Sequence, residues 1–162
     1  MTQIQAHYFQ YNMSTNYDNY QISLKLILQN QDGKFLLLKV EDGGRYHGYY
    51  DFPGGRIGEE EFNIGLPEIL KRETDEEIGS GIKYELLSET PLAYGRHESF
   101  SKRQNKLARC FYLMFEGKLL EGDIKISNEH ASHAWMSYEE IKNNLNNLFV
   151  SGILECAKMY FK

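Results

Sequence analysis

Apolar residues recur along this chain in short blocks separated by glycine-rich and polar breaks, and the spacing inside each block identifies its element. Residues 23–28 and 34–40 are near-continuous apolar runs of strand length, and Asn30-Gln31-Asp32-Gly33 between them reads as a hairpin turn. Residues 41–49, with Gly43, Gly44 and Gly48, form a loop. From 67 to 78 the pattern becomes helical. Pro67 suits the first helical position and Gly79 the left-handed residue just past the end. Residues 82–92 read as one or two strands and 107–116 as a long buried one. Ser137 and Glu140 make a capping-box pattern that starts a second helix over 137–148, and 153–160 predicts a third. The polar and aromatic residues 1–19 read as a lead-in strand or an ordered arm. Strands alternating with two or three helices predict an α/β protein with a mixed sheet between helices.

The helix at 67–78 carries the most chemistry. At about 100° per residue, Leu66, Ile69, Leu70, Glu73, Glu76 and Glu77 fall in one sector, and Glu68, Lys71, Asp75 and Ile78 fall on the other side. The acidic triplet thus continues the apolar stripe, where a solvated helix would place its carboxylates opposite. Residues three and four apart are neighbours on a helix, so these like charges repel one another. Carboxylates turned toward a protein body must be paired or must hold a metal.

The same segment resembles the signature of the Nudix hydrolases, Gly-x5-Glu-x7-Arg-Glu-U-x-Glu-Glu-x-Gly-U, where U is a bulky apolar residue. Gly55 is followed after five residues by Glu61, and Arg72-Glu73-Thr74-Asp75-Glu76-Glu77-Ile78-Gly79 supplies the second half. Two departures stand out: ten residues lie between Glu61 and Arg72, and the U positions hold Thr74 and Ser80. The three additional residues belong in the loop before the helix, where Asn63, Gly65 and Pro67 are poor mid-helix residues. They bear on the Glu61–Arg72 contact and leave the spacing of the acidic half intact. Tyr50-Asp51-Phe52-Pro53-Gly54-Gly55 is similar to the family's aromatic-x-apolar-Pro-Gly-Gly stretch, and Glu129-His130-Ala131-Ser132-His133-Ala134-Trp135 to its Glu-His…Trp stretch. The resemblance spans roughly residues 20–141. It implies a Nudix-type α/β/α sandwich, read as one domain over 1–162 with an N-terminal arm (1–19) and a C-terminal helix (about 149–162).

Composition narrows the alternatives. The 162 residues suit one domain with a real core, and 41% are hydrophobic. The formal charge of −5 argues against a general nucleic-acid surface, but a divalent ion can reverse the local field for a small anionic substrate. Cys110, in an apolar run, and Cys156, in a helical tail, read as buried free thiols. The first dozen residues lack the charged start and apolar core of a signal peptide, and no apolar stretch approaches a membrane span, so a cytoplasmic protein is expected by default. It would be a monomer or homodimer.

Hard oxygen ligands suit Mg²⁺ or Mn²⁺, and Mg²⁺ leans on substrate phosphates. By resemblance, Glu73, Glu76 and Glu77 bind the metals, with the Gly54 carbonyl as a further ligand, and Gly55, Glu61, Arg72 and Gly79 are structural members of the box. A base must accept the proton of the attacking water. Glu129, six residues before Trp135, is the first candidate, also as a metal ligand, and Glu98 the second. Arg56 and Arg45 are placed to touch phosphate. His97, His130 and His133 show no zinc spacing, and the latter two read as support for the loop or strand around Trp135. Lys102-Arg103-Gln104-Asn105-Lys106 reads as a basic hairpin tip. The implied function is metal-dependent hydrolysis of the pyrophosphate linkage in a nucleoside triphosphate or other nucleoside diphosphate derivative. A nucleotide-sugar or ADP-ribose pyrophosphatase and a non-catalytic nucleotide sensor remain as alternatives.

Overall fold

The computed structural model describes residues 18–41, 46–101 and 105–162. Arg45 and the centre of the 102–106 tip lie outside the described residues, as does the 1–17 portion of the arm. The elements run β1 (Tyr20–Gln29), β2 (Phe35–Val40), β3 (Tyr50–Asp51), a 3-10 turn (Glu59–Glu61), α1 (Leu66–Ile78), β4 (Lys83–Leu86), β5 (Ala93–Ser101), β6 (Lys106–Glu121), β7 (His130–Met136), α2 (Tyr138–Leu148) and α3 (Ser151–Tyr160).

β1 lies parallel to β6, from Tyr20 opposite Arg109 to Gln29 opposite Lys118, and the other pairings are antiparallel. β4 and β5 pair with successive parts of β6, while β3 and β7 pair with β2. The sheet is therefore mixed, as expected. The β1–β2 turn has the chemistry read from Asn30 and Gly33: the Asn30 Oδ1 accepts the Asp32 and Lys34 N–H groups at 3.0 and 2.9 Å, and Gly33 sits at φ +74°.

Both faces of β1 are covered, which explains its unbroken apolar run. Leu24, Leu26 and Leu28 pack with Leu36, Phe115 and, from α1, Ile69, Leu70 and Ile78. Ile27 faces the other way, among Phe35, Leu37, Met114, Ile141 from α2 and Cys156 from α3. Helices thus flank the sheet on both sides, an α/β/α sandwich. Ser137 caps α2 as its pattern foretold: its Oγ accepts the Glu140 N–H at 3.3 Å, and Glu140 Oε2 accepts the Ser137 N–H at 2.7 Å.

One strand is additional to the apolar pattern, and two placements on α1 need correction. Of the one or two strands read over 82–92, one forms, β4, and the chain straightens into β5 at Ala93, a strand absent from the apolar pattern because its sequence, AYGRHESFS, is mostly polar. Its place is set by tertiary contact: a side chain at Gly95 would meet the Gly152 carbonyl oxygen of α3 at 2.1 Å. On α1, Ile78 is fully buried rather than outward, and the inner stripe is Ile69, Leu70, Thr74 and Ile78. The acidic side chains divide: those of Glu73 and Glu77 turn inward with the stripe, at 14% and 12% exposed, and that of Glu76 turns outward, at 61% exposed. Among the described residues no helix is long and apolar enough to cross a membrane.

Candidate active site

The site begins with a backbone segment pressed against β1. Leu26 and Leu24 donate to the Pro53 and Gly55 carbonyls at 2.7 and 2.8 Å, and Ile57 donates back to Ile22 at 2.9 Å. The approach is so close that glycine is required at two places. Gly54 adopts φ +127°, and a side chain there would meet the Leu24 carbonyl oxygen at 2.2 Å. At Gly55 a side chain would fall 1.9 Å from Glu73 Oε2, so this glycine makes room for an acidic side chain of α1.

Glu61 and Arg72 meet despite the longer spacing. Arg72 Nε donates to Glu61 Oε1 at 2.6 Å and an Arg72 terminal nitrogen to Glu61 Oε2 at 2.9 Å. The additional residues are absorbed in 62–65, and α1 opens with Gly65 as N-cap and Pro67 in its first turn. Arg72 also donates to Glu73 Oε1 at 2.6 Å and Glu76 Oε1 at 3.2 Å, so one guanidinium organises three carboxylates. The hydrogen bond to Glu61 is the main cause of the upward shift of Arg72, and the same bond, with the Gly58 N–H, holds Glu61 below the usual carboxylate range.

Glu73 behaves differently. Burial pushes its carboxyl up, and the charges of Glu76 and Glu77 add to that effect, so the shift stays upward even against Arg72. Glu77 Oε2 accepts the Gly54 N–H at 2.8 Å, and His130 Nε2 stands 3.4 Å from Glu77 Oε1 without a well-formed hydrogen bond. Burial works to raise the Glu77 carboxyl, but His130, Lys25 and the Gly54 N–H outweigh it and pull it down.

Lys25 was not singled out by sequence. It is 5% exposed in the middle of β1, and its Nζ donates to Asp51 Oδ2 and to the Gly54 carbonyl, each at 2.8 Å. Burial works against the ammonium, yet Asp51 and Glu77 keep its pKa above the ordinary lysine value. The available signal was a single lysine inside the run Ser-Leu-Lys-Leu-Ile-Leu.

Glu129 is exposed in the turn before β7, within a loop fastened to α1 by the Ser127 N–H donating to the Glu77 carbonyl at 2.9 Å. Glu98 lies not in a loop but on β5, opposite Arg109, whose Nε donates to it at 2.6 Å. Arg56 is exposed and lines a cleft of about 480 Å³ with Tyr20, Ile22, Glu59, Glu61 and Phe62. Asp51 also lines a smaller pocket of about 60 Å³ with Tyr46, His97, Tyr112 and Ser151. Gly79 ends α1 at φ +99°.

Among the described residues, no three His, Cys, Asp or Glu side chains stand close enough to enclose one ion. The chemistry of the donor set nevertheless fits a hard divalent cation. All donors are carboxylate oxygens, burial disfavours Glu73 as an anion even beside Arg72, and Glu76 has a solvent-exposed side chain.

An acidic helix clamped to a glycine turn on an α/β/α sandwich defines a class. The NUDIX domain profile matches residues 19–152, so the chain belongs to the Nudix family. It is a Nudix hydrolase, of an enzyme class that acts on small nucleotide substrates and generally uses divalent metals. Over 120 residues it is 30% identical to nucleoside triphosphatase NudI of Escherichia coli O81 (strain ED1a), covering 71% of this chain and 80% of that protein. The fold matches the MutT protein of Methanosarcina mazei Go1 with a TM-score of 0.67 at 24% identity, over 90% and 94% of the two chains. It also matches a Nudix hydrolase of Nitrosomonas europaea with a TM-score of 0.64 at 23% identity, over 90% and 72%.

Proposed function

We propose that this chain cleaves the pyrophosphate linkage of a nucleoside triphosphate in a reaction that depends on Mg²⁺ or Mn²⁺. The observation that carries the reading is Glu73, held between Gly55 and Arg72 yet disfavoured as an anion by burial, with Glu76 and Glu77 adding to the effect. Such a patch is relieved by a cation. Glu73, Glu76 and Glu77 would hold it, and Glu129 is a further ligand from the facing loop. A bound divalent ion supplies neutralisation of phosphate oxygens and activation of water.

The protein's own groups divide the remaining work. Arg72, fixed by Glu61, sets the directions of Glu73 and Glu76 before substrate arrives. Glu129 accepts the proton of the attacking water, because it is an exposed carboxylate on a loop anchored to Glu77, whereas Glu98 is engaged by Arg109. Arg56, exposed directly after the glycine turn, binds a phosphate. The triphosphate is preferred over a nucleotide sugar because the relative with the quoted identity is named a nucleoside triphosphatase. Turnover is preferred over a non-catalytic sensor because Glu73, Glu76 and Glu77 are all retained and the Glu61–Arg72 pair forms despite the longer box.

The test is a panel of nucleoside triphosphates, nucleotide sugars and ADP-ribose incubated with and without Mg²⁺, with products resolved by ³¹P NMR. Release of pyrophosphate or phosphate from a triphosphate only with Mg²⁺ is expected. Tight binding of a nucleotide without turnover would overturn the proposal in favour of the sensor.

A further inference from the structure

We infer that Lys25 is a resident cation of this site, and that its ammonium closes the Gly54 carbonyl to divalent metal. The inference rests on the reading of Glu73, Glu76 and Glu77 as a metal seat and changes its composition.

Lys25 stands at an interior position of β1, where every neighbour from Ser23 to Leu28 is buried. A lysine in such a place is rare unless paired. Its two partners are Asp51 Oδ2 and the Gly54 carbonyl oxygen, both at 2.8 Å, the length of a charge-assisted bond. The same residue, Gly54, donates its N–H to Glu77 Oε2, also at 2.8 Å. The two peptide groups that meet at the Gly54 Cα therefore link a buried ammonium on one side to an acidic residue of α1 on the other. The Gly54 backbone is pressed against β1, where a side chain would meet the Leu24 carbonyl oxygen at 2.2 Å.

A divalent ion on that carbonyl, at about 2.1 Å from the oxygen, would lie no more than about 5 Å from the Lys25 nitrogen. The oxygen has a second lone pair, so the exclusion is electrostatic rather than steric. Two cations sharing one acceptor in a half-buried site repel strongly. Through Gly54, whose N–H donates to Glu77 Oε2 and whose carbonyl accepts from Lys25 Nζ, the ammonium and that carboxylate are joined by a single residue. Lys25 thus performs, with a fixed single charge, the compensation of Glu77 that an ion on Gly54 would give. The divalent metal is left to the carboxylates of α1 and the facing loop.

Crystals of the wild-type protein grown with Mn²⁺ and read by anomalous scattering test this directly. The expected result is Mn²⁺ on the α1 glutamates with Lys25 still bonded to the Gly54 oxygen. Mn²⁺ at about 2.1 Å from that oxygen would overturn the inference while leaving the metal seat standing. No Mn²⁺ on the glutamates would overturn both.

A titration in solution gives an independent readout. Mn²⁺ binding followed by electron paramagnetic resonance should show one more ion per chain, or at least about tenfold tighter binding, in Lys25→Met than in the wild type. The Lys25→Met/Asp51→Asn double variant, which also removes the orphaned carboxylate, should show the same gain. Unchanged stoichiometry and affinity in a variant whose melting curve shows it folded would overturn the inference. A purely structural lysine would change the melting curve alone.

Discussion

Glu61 and Arg72 face each other through two hydrogen bonds, 2.6 and 2.9 Å long, across ten intervening residues. The pair fixes the guanidinium from which Glu73 and Glu76 take their positions. Arg72→Lys retains charge but loses the planar fork. It should cost about 10- to 100-fold in Mg²⁺ affinity or turnover, as losses of groups that orient metal ligands do. Isothermal titration with Mg²⁺ and kcat/KM measured in parallel check this.

Glu129 and Glu98 separate cleanly by substitution. Glu129→Gln should lower kcat by about 10²- to 10⁴-fold, the range for removing a general base. Glu98→Gln loses one exposed ion pair with Arg109 and should leave the rate within about twofold. The pair of steady-state rates decides the assignment, and a near-normal Glu129→Gln enzyme would remove it from the role.

Gly55 and Gly54 are adjacent, but their alanine variants should fail for different reasons. In Gly55→Ala the new methyl displaces the Glu73 carboxylate, an atom group at the end of a side chain, so activity drops sharply with little change in melting temperature. In Gly54→Ala the methyl meets the β1 backbone at an unfavourable positive φ, a strain of about 1–3 kcal/mol or more. Melting curves and rates for the two variants distinguish lost function from lost fold.

Burial pushes the Cys156 thiol up to about 12 and also raises Cys110. Thiolate is the reactive form, so native protein should resist iodoacetamide at pH 8 while urea-unfolded protein is labelled at both cysteines. The raised folded pKa stabilises the fold fully below the unfolded value of about 8.5. That contribution is lost as pH rises from there toward 12. The melting temperature should fall over this window, and by less in Cys156→Ala.

Much of the site was legible because its spacing is local. Glu73, Glu76 and Glu77 share a helix, Gly79 ends it, and Pro67 sits in its first turn, all features that i+3 and i+4 periodicity and terminal preferences disclose. The same periodicity misplaced Ile78, because α1 buries a stripe through Thr74, a polar residue whose hydroxyl is satisfied by the Lys71 carbonyl at 2.9 Å. Long-range contacts were hidden for a plainer reason. The bonds of Lys25 to Asp51 and Gly54 join residues 26 and 29 positions apart, and the docking of β5 on α3 depends on glycines facing each other at 95 and 152.

The most direct test of the central claim is hydrolysis of a nucleoside triphosphate by wild-type protein and by Glu77→Gln, each with Mg²⁺ and with EDTA. Turnover should require Mg²⁺ in the wild type and fall by about 10²-fold or more in Glu77→Gln. Turnover that persists in EDTA, or a Glu77→Gln enzyme as fast as the wild type, would contradict it.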